Sequence, residues 1–325
     1  MILDRTSMPF VPVAAAVVTL MTWQSVTESA DLPFQAPARW TDEVSTALSD
    51  GKPITASATS LDQSCRRDSG TLFLWSEGTG VEGGPDLDEP LVTDRPDFTE
   101  ASSTVGLGVA QLEIGYTYTF DDDGTTSTKS HSYPEPLLRY GVLKEWLELR
   151  VGWNYASEET GGARTSGSED LYLGFKIGLT PQDEFLPEMA LIPQMTVPTG
   201  ADAFTSDEAL PGVNWIYSWG INDFLSIAGS TQFNRARDEA TSATYTEWAQ
   251  SLTAGYSLTD ELGAYTEWYA FFPNGADTAR VEHYFNGGFS YLLSDDIQWD
   301  IRAGTGLTGA SDDFFAGTGL AIRFR

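Results

Sequence analysis

From residue 108 onward, the chain alternates between apolar and polar positions. In QLEIGYTYTF, residues 111–120, the even positions are Leu, Ile, Tyr, Tyr and Phe, and the odd positions are polar or glycine. Alternation with a period of two predicts a β-strand with one apolar face and one polar face. The pattern recurs in LELRVGWNY, residues 147–155, and in DLYLGFKIGL, residues 170–179. The sequence therefore predicts a protein built from amphipathic strands.

The connections between these strands alternate between long and short. The long DDDGTTSTKSHS (121–132) is followed by the short LKEW (143–146), and the long SEETGGARTSGS (157–168) by the shorter TPQDEFLP (180–187). Outer-membrane barrels place long loops outside the cell and short turns in the periplasm, whereas a β-sandwich has no reason to sort its loops. About twelve strands of roughly ten residues suffice to cross a bilayer with tilt. We therefore expect an all-β fold: a transmembrane antiparallel up-and-down β-barrel with lipid against its apolar face.

The chain divides into three parts by composition. Residues 1–30 contain the apolar run MPFVPVAAAVVTLM after Arg5, which predicts an export signal. Residues 31–105 are rich in Ser, Thr, Asp, Pro and Gly and predict an irregular periplasmic segment. Residues 106–325 predict the barrel. The last strand, AGTGLAIRFR, resembles an outer-membrane assembly signal, which implies the barrel assembly machinery as a partner and the outer membrane of a Gram-negative-type bacterium as the location.

Charge and cysteine content exclude several classes of function. The formal net charge of −29 argues against nucleic acid as a partner, because phosphate binding needs clustered Lys and Arg. Cys65 is the only cysteine, so the chain can form neither an internal disulfide nor a cysteine-based metal site. The acidic runs lack EF-hand spacing and are expected to be solvated loops. We predict no metal and no cofactor.

Charged residues also occur at the positions that face inward in the predicted barrel. Mixed charges can line an aqueous channel, or they can pair with one another and fill a narrow interior. Our hypothesis is that the basic members Arg139, Arg150, Lys176 and Arg302 face acidic partners across a narrow lumen. The candidate lumen-lining residues are Glu113, Arg139, Glu148, Arg150, Asp170, Lys176, Glu267, Glu282, Asp300, Arg302 and Arg323.

Candidate catalytic motifs are weak. GTGLTG, residues 304–309, has dinucleotide-binding spacing, but a strand is expected after it where that site requires a helix. His131 falls in the first predicted long loop. His283 has outward parity, with Phe285 and not Ser beside it, so a lipid hydrolase is disfavoured. We predict no catalytic residue.

Four stretches carry a family resemblance: TDRPDFTEASSTVGLGVAQLEIGYTY (93–118), LIPQMTVPTG (191–200), YSWGINDFLSI (217–227) and TEWYAFFP (266–273). They resemble the outer-membrane proteins grouped as "MetA-pathway of phenol degradation", described as transporters, over about residues 92 to 325. The resemblance implies a barrel and passage of hydrophobic or aromatic compounds. It carries over no catalytic residues.

The most specific part of this resemblance lies just before the first strand, and so at the periplasmic mouth of the predicted barrel. It could enter the lumen as a plug, pairing its arginine with inward acids, or it could be a rigid lead-in fixed by its proline. The block consists of Asp94, Arg95, Pro96, Asp97, Phe98, Thr99 and Glu100.

Three functions are compatible with this pattern. The first is a channel that passes small solutes, hydrophobic or aromatic ones included, by passive diffusion. The second is a closed structural or adhesive surface barrel that acts through its long acidic loops. The third, which is disfavoured, is a barrel-embedded lipid hydrolase. The expected partners are outer-membrane lipid, a small-molecule solute and the assembly machinery.

Overall fold

The structure is a computed structural model that describes residues 71–73, 85, 87–238 and 240–325. Residues 1–30, the predicted export signal, lie outside the described residues. Within the described part, no helix is long and apolar enough to cross a membrane. Fifteen strand segments form one antiparallel sheet. They are β1 (Ala110–Asp122), β2 (Ser127–Tyr133), β3 (Leu137–Gly141), β4 (Leu147–Gly152), β5 (Tyr155–Thr160), β6 (Ala163–Ser168), β7 (Leu171–Thr180), β8 (Glu188–Val197), β9 (Leu210–Gly220), β10 (Leu225–Arg237), β11 (Thr244–Ser257), β12 (Leu262–Asn274), β13 (Glu282–Ser294), β14 (Ile297–Gly306) and β15 (Phe314–Phe324).

The sheet closes on itself. β15 pairs with β1 in an unbroken register from Ala110↔Phe324 to Phe120↔Phe314. Three wall strands are interrupted: β2 continues as β3, β4 as β5, and β6 as β7. The described residues therefore form a closed barrel of twelve wall strands, which confirms the predicted fold class. Closure leaves no sheet edge exposed to lipid, as a membrane requires.

The interruptions shift the alternation of the chain. Ser132 in β2 and Arg139 in β3 are both buried on the inner face, although one has an even and the other an odd position in the sequence. An extra residue in the link at 134–136 produces this change, as a β-bulge does. The period-two pattern is therefore valid only within each segment.

Two predicted long loops are wrong. Residues 121–132 and 157–168 belong mostly to paired strands: β1 pairs with β2 as far as Asp122↔Ser127, and β5 turns into β6 through Gly161 and Gly162, with φ of 58° and 87°. These hairpins were missed because their residues are polar on both faces. The other connections follow the predicted placement, with the long loop 198–209 at one end of the barrel and short turns such as 295–296 at the other end. We name these ends extracellular and periplasmic respectively.

The two faces of the wall differ as predicted. Outward side chains such as Leu252 and Phe289 are 57% and 48% exposed, whereas inward Glu113 and Lys176 are 0% exposed. In an outer-membrane barrel the exposed apolar face contacts lipid. The polar residues face the interior.

Candidate functional site

Residues 91–105 run through the interior of the barrel. The Leu91 amide donates to the Asp295 carbonyl (2.7 Å) in the turn between β13 and β14, and the Thr104 hydroxyl donates to the Glu145 carbonyl (2.6 Å) between β3 and β4. Both turns are periplasmic, so the segment enters and leaves at that end. Between them, Phe98 reaches the middle of β12. The block folds inward as a loop without helix or strand, and whether it acts as a plug stays a prediction.

Asp94 is the centre of a charged network at this segment. Its carboxylate accepts from Lys176 Nζ (2.7 Å), lies 3.3 Å from Arg139 Nε and contacts Arg150 Nη1. All four side chains are 0% exposed. A single acid of the segment therefore holds three basic residues from β3, β4 and β7.

Further carboxylates balance these cations. Glu148 accepts from Arg139 Nε (2.8 Å) and Arg150 Nη1 (3.0 Å), and Glu113 accepts from Arg139 Nη1 (3.1 Å). Glu100 of the segment accepts from Arg150 Nη2 (2.7 Å). Removing one partner from such a buried set leaves an uncompensated charge, at a cost of about 3–5 kcal/mol.

Arg95 extends from the segment to the opposite wall. Its guanidinium donates to Glu135 (3.1 Å) and Asp300 (3.3 Å). It lies against Gly115 of β1 and Gly319 of β15, which face each other across the closing seam. A Cβ atom at either glycine would overlap the guanidinium. The two glycines therefore provide the space that Arg95 occupies.

The tip of the segment is held by a carboxylate and by aromatic rings. Glu267 accepts from the Phe98 amide (2.6 Å) and the Thr99 amide (2.8 Å). The Phe98 ring stacks on Tyr269, with centroids 4.7 Å apart, and meets Phe271 edge-on at 5.5 Å. With Ala249, Tyr284 and Phe315, these rings form a buried cluster inside the barrel, which we call the aromatic cluster.

Ten of the eleven candidate lumen-lining residues face the interior, and none of the ten is more than 8% exposed. Whether they line a solute pathway stays a prediction. Their partners differ from our hypothesis for Arg302, which donates to the Pro96 carbonyl (2.9 Å) and to Thr117 (3.0 Å) and forms no ion pair within the described residues. Arg323 lies near the periplasmic end, bonded to Asp296 (2.7 Å).

Asp170 is the exception because it is only half-buried, and its assignment to the lumen stays a prediction. It precedes β7, and its carboxylate accepts from the amides of Thr199 (3.0 Å), Gly200 (2.9 Å) and Ser206 (2.9 Å). It therefore fixes the extracellular loop between β8 and β9.

Sequence reasoning missed two sets of interior residues. Glu135 lies between Pro134 and Pro136 in the link from β2 to β3, with φ of 47°, where no alternation exists to assign a face. Tyr269 and Phe271 share the parity of Glu267 in β12, so their inward position was available from the pattern.

The histidines do not form a catalytic pair. His131 is in β2, which corrects its predicted loop position, and its ring bonds to the Tyr116 hydroxyl (2.8 Å) on the outer face. The His283 ring packs against Trp268 and Phe272, and Ser311 bonds only to its backbone. The described residues contain no cluster of potential metal ligands. In GTGLTG, residues 304–306 are the end of β14 and residues 307–309 begin the connection to β15, so a strand and not a helix follows the motif.

The geometry defines an outer-membrane, channel-like β-barrel with a charged interior. The family described as "Putative MetA-pathway of phenol degradation" matches residues 93–324, and the chain belongs to this family. Comparison with curated proteins finds no match.

Comparison with solved structures finds similar chains. An outer membrane channel from Pseudomonas putida F1 is 15% identical, with a TM-score of 0.56 over 71% of this chain and 99% of that one. The NanC porin is 11% identical (TM-score 0.40; 66% and 98%), and the transport unit of the autotransporter AIDA-I from Escherichia coli is 8% identical (0.46; 67% and 89%).

Proposed function

We propose that the protein is an outer-membrane channel through which small solutes diffuse passively, and that residues 91–105 close it in the state described. The observation that carries this proposal is which part of the chain occupies the interior of the barrel. The interior is filled by a segment outside the strands, and side-chain contacts hold its central block to the wall. A segment held in this way can leave without disrupting the interstrand ladder. Its departure would expose a polar interior.

The contacts of the segment support a reversible closure. Asp94 and Glu100 occupy cations of the wall, and Glu267 binds two backbone amides of the segment. Water and solute ions can replace each of these partners once the interior is hydrated. The loss of buried ion pairs on opening is therefore partly offset by hydration of the same groups.

The aromatic cluster supports small hydrophobic or aromatic solutes as part of the cargo. Tyr269 and Tyr284 present stacked rings, with centroids 4.9 Å apart, in the middle of an otherwise polar interior. When Phe98 leaves with the segment, its place on Tyr269 becomes available to another ring. Offset stacking contributes about 0.5–1.5 kcal/mol, enough to favour an aromatic solute without trapping it.

A closed surface barrel is the second candidate, favoured by the contacts among the extracellular loops. Arg237 binds Asp207 (3.0 Å), Asp238 accepts from the Thr278 amide (2.6 Å), and Asp313 accepts from the Asp122 amide (3.0 Å). These contacts link neighbouring loops into a rim, which would suit a rigid surface structure.

A reversible tether distinguishes the two candidates. The hydroxyls of Thr99 and Ser251 lie 2.6 Å apart, so the variant Thr99→Cys/Ser251→Cys, in a Cys65→Ser background, is placed to form a disulfide between segment and wall. We expect liposomes containing the reduced protein to swell in arabinose and in benzoate, at rates linear in solute concentration. The oxidised protein should not swell, and Thr99→Cys alone should not respond to oxidant. Absence of swelling in both redox states would favour the closed barrel. Equal swelling in both would refute closure by the segment.

A further inference from the structure

The basic side chains of the strands are distributed unequally between the two faces. On the inner face, Arg139, Arg150 and Lys176 have carboxylate partners. Four basic residues of the described strands face outward, and all four lie toward the extracellular end. They are Lys129 in β2, Arg164 in β6, and Arg235 and Arg237 in β10.

Arg235 lies at the height of the membrane surface. It is ten residues from Leu225, the periplasmic start of β10. Ten residues extend roughly 33 Å along a strand, and a tilt of about 40° reduces this to about 25 Å along the membrane normal. That is the height of the apolar band of such barrels. Phe233 and Trp248, which are paired one step below on the outer face, belong to the aromatic girdle that marks the interface.

Hydrogen bonds hold the Arg235 side chain in place, but no acidic residue of the described part of the chain pairs with its charge. Its guanidinium donates to Thr246 Oγ1 (3.3 Å) and to Thr244 Oγ1 on the neighbouring strand. Both partners are uncharged, and Arg235 has no ion pair among the described residues. Arg237, two residues further out, is instead paired with Asp207 at 3.0 Å. Arg235 therefore carries a free positive charge next to lipid headgroups, with most of its donors available.

We propose that Arg235, held by Thr244 and Thr246, binds the phosphate of an anionic lipid in the outer leaflet. A guanidinium matches phosphate bidentately, and basic residues beside the membrane attract anionic headgroups. The aromatic side chains below it contact the acyl chains of the same lipid. Lys129 and Arg164 lie at the same height on another part of the wall, but Glu159 separates them as their common cross-strand neighbour. Arg235 is therefore the principal site.

Native mass spectrometry of the detergent-solubilised protein tests this proposal. The probes are bis-phosphorylated lipid A, the same lipid without its phosphates, and inorganic phosphate. We expect the wild type to bind the phosphorylated lipid most tightly, and Arg235→Gln to weaken that binding about tenfold, as expected for one hydrogen bond to a charged group. The control Lys144→Gln removes one positive charge in a periplasmic turn and should bind like the wild type.

The outcomes that overturn the proposal are distinct. Unchanged binding in Arg235→Gln would refute the site, and so would equal weakening in Lys144→Gln. Equal binding of the dephosphorylated lipid would show that acyl chains alone are recognised. Inorganic phosphate binding with the same dependence on Arg235 would assign the site to a free anion. Arg235→Lys keeps the charge but lacks the planar guanidinium that can bind phosphate through two hydrogen bonds, so it should bind the phosphorylated lipid about threefold more weakly than the wild type. This variant replaces Arg235→Gln in the test if Arg235→Gln fails to assemble.

Discussion

Asp94 gives the sharpest test of how the segment is held. We expect Asp94→Asn to destabilise the docked segment without unfolding the barrel. The side chain keeps its shape and one acceptor oxygen but loses the charge that holds Arg139, Arg150 and Lys176. None of the β-ladder hydrogen bonds involves this residue.

The size of this destabilisation depends on which ion-pair partners the three basic residues keep in Asp94→Asn. Arg139 and Arg150 retain Glu148, at 2.8 and 3.0 Å. Lys176 loses its only carboxylate within ion-pair distance in the described part of the chain. One buried cation is left without a partner, so we take the lower end of the usual cost, about 3 kcal/mol. This changes the docking equilibrium about a hundredfold. A closed channel that is open about 0.1% of the time would be open about 10% of the time.

Single-channel recording in planar bilayers measures this open fraction directly. Glu89→Gln is the matched control, because it also removes one acidic charge just before the segment, while the Glu89 side chain is exposed. The double variant Asp94→Asn/Lys176→Met should close again in part, since it removes both charges together. An open fraction in Asp94→Asn equal to that of Glu89→Gln would refute the proposed role of Asp94.

Three further predictions concern other contacts. Gly319→Ala should displace Arg95 and raise the open fraction by an amount equivalent to about 1–3 kcal/mol, the usual cost of overpacking, measured in the same recordings. Phe98→Ala removes the stacked tip of the segment and should raise the open fraction about a hundredfold, with the thermal unfolding of the barrel unchanged. Burial and the negative charge of Asp121 raise the pKa of Asp312 to about 7. The folded loop 307–313 favours the neutral acid, so this stabilisation is present at low pH and is lost as the pH rises through about 7. Protease resistance of the loop should therefore fall between pH 5 and pH 8, and Asp312→Asn should remove that dependence.

The fold could be predicted from sequence because lipid and water impose opposite demands on the two faces of each strand. In β1, the apolar positions from Leu112 to Phe120 face outward, and Gln111, Glu113 and Thr117 are buried inside. The prediction of strands failed where the two faces of a strand do not differ in polarity. Residues 157–168 extend beyond the membrane, where both faces are polar, and they form a hairpin that no alternation reveals.

The contacts of the interior could be predicted only in part. Parity identified Glu113, Arg139 and Asp300 as inward residues, but it contains no information on what they meet. Arg95 pairs with Asp300 across 205 positions of sequence, and Glu135 enters the interior only because its link lacks strand geometry. Such contacts depend on closure of the whole barrel and on the path of residues 91–105, whose sequence has no alternation of apolar and polar positions.

The proposed closure depends on residues of the segment and not on the wall itself. Its most direct test replaces residues 94–100 with a Gly-Ser sequence of equal length and records single-channel conductance. We expect a large, long-lived open state that the wild type lacks, with the variant still migrating as a folded barrel. A folded variant that stays as closed as the wild type would contradict it, because the wall side chains would then fill the interior without the segment.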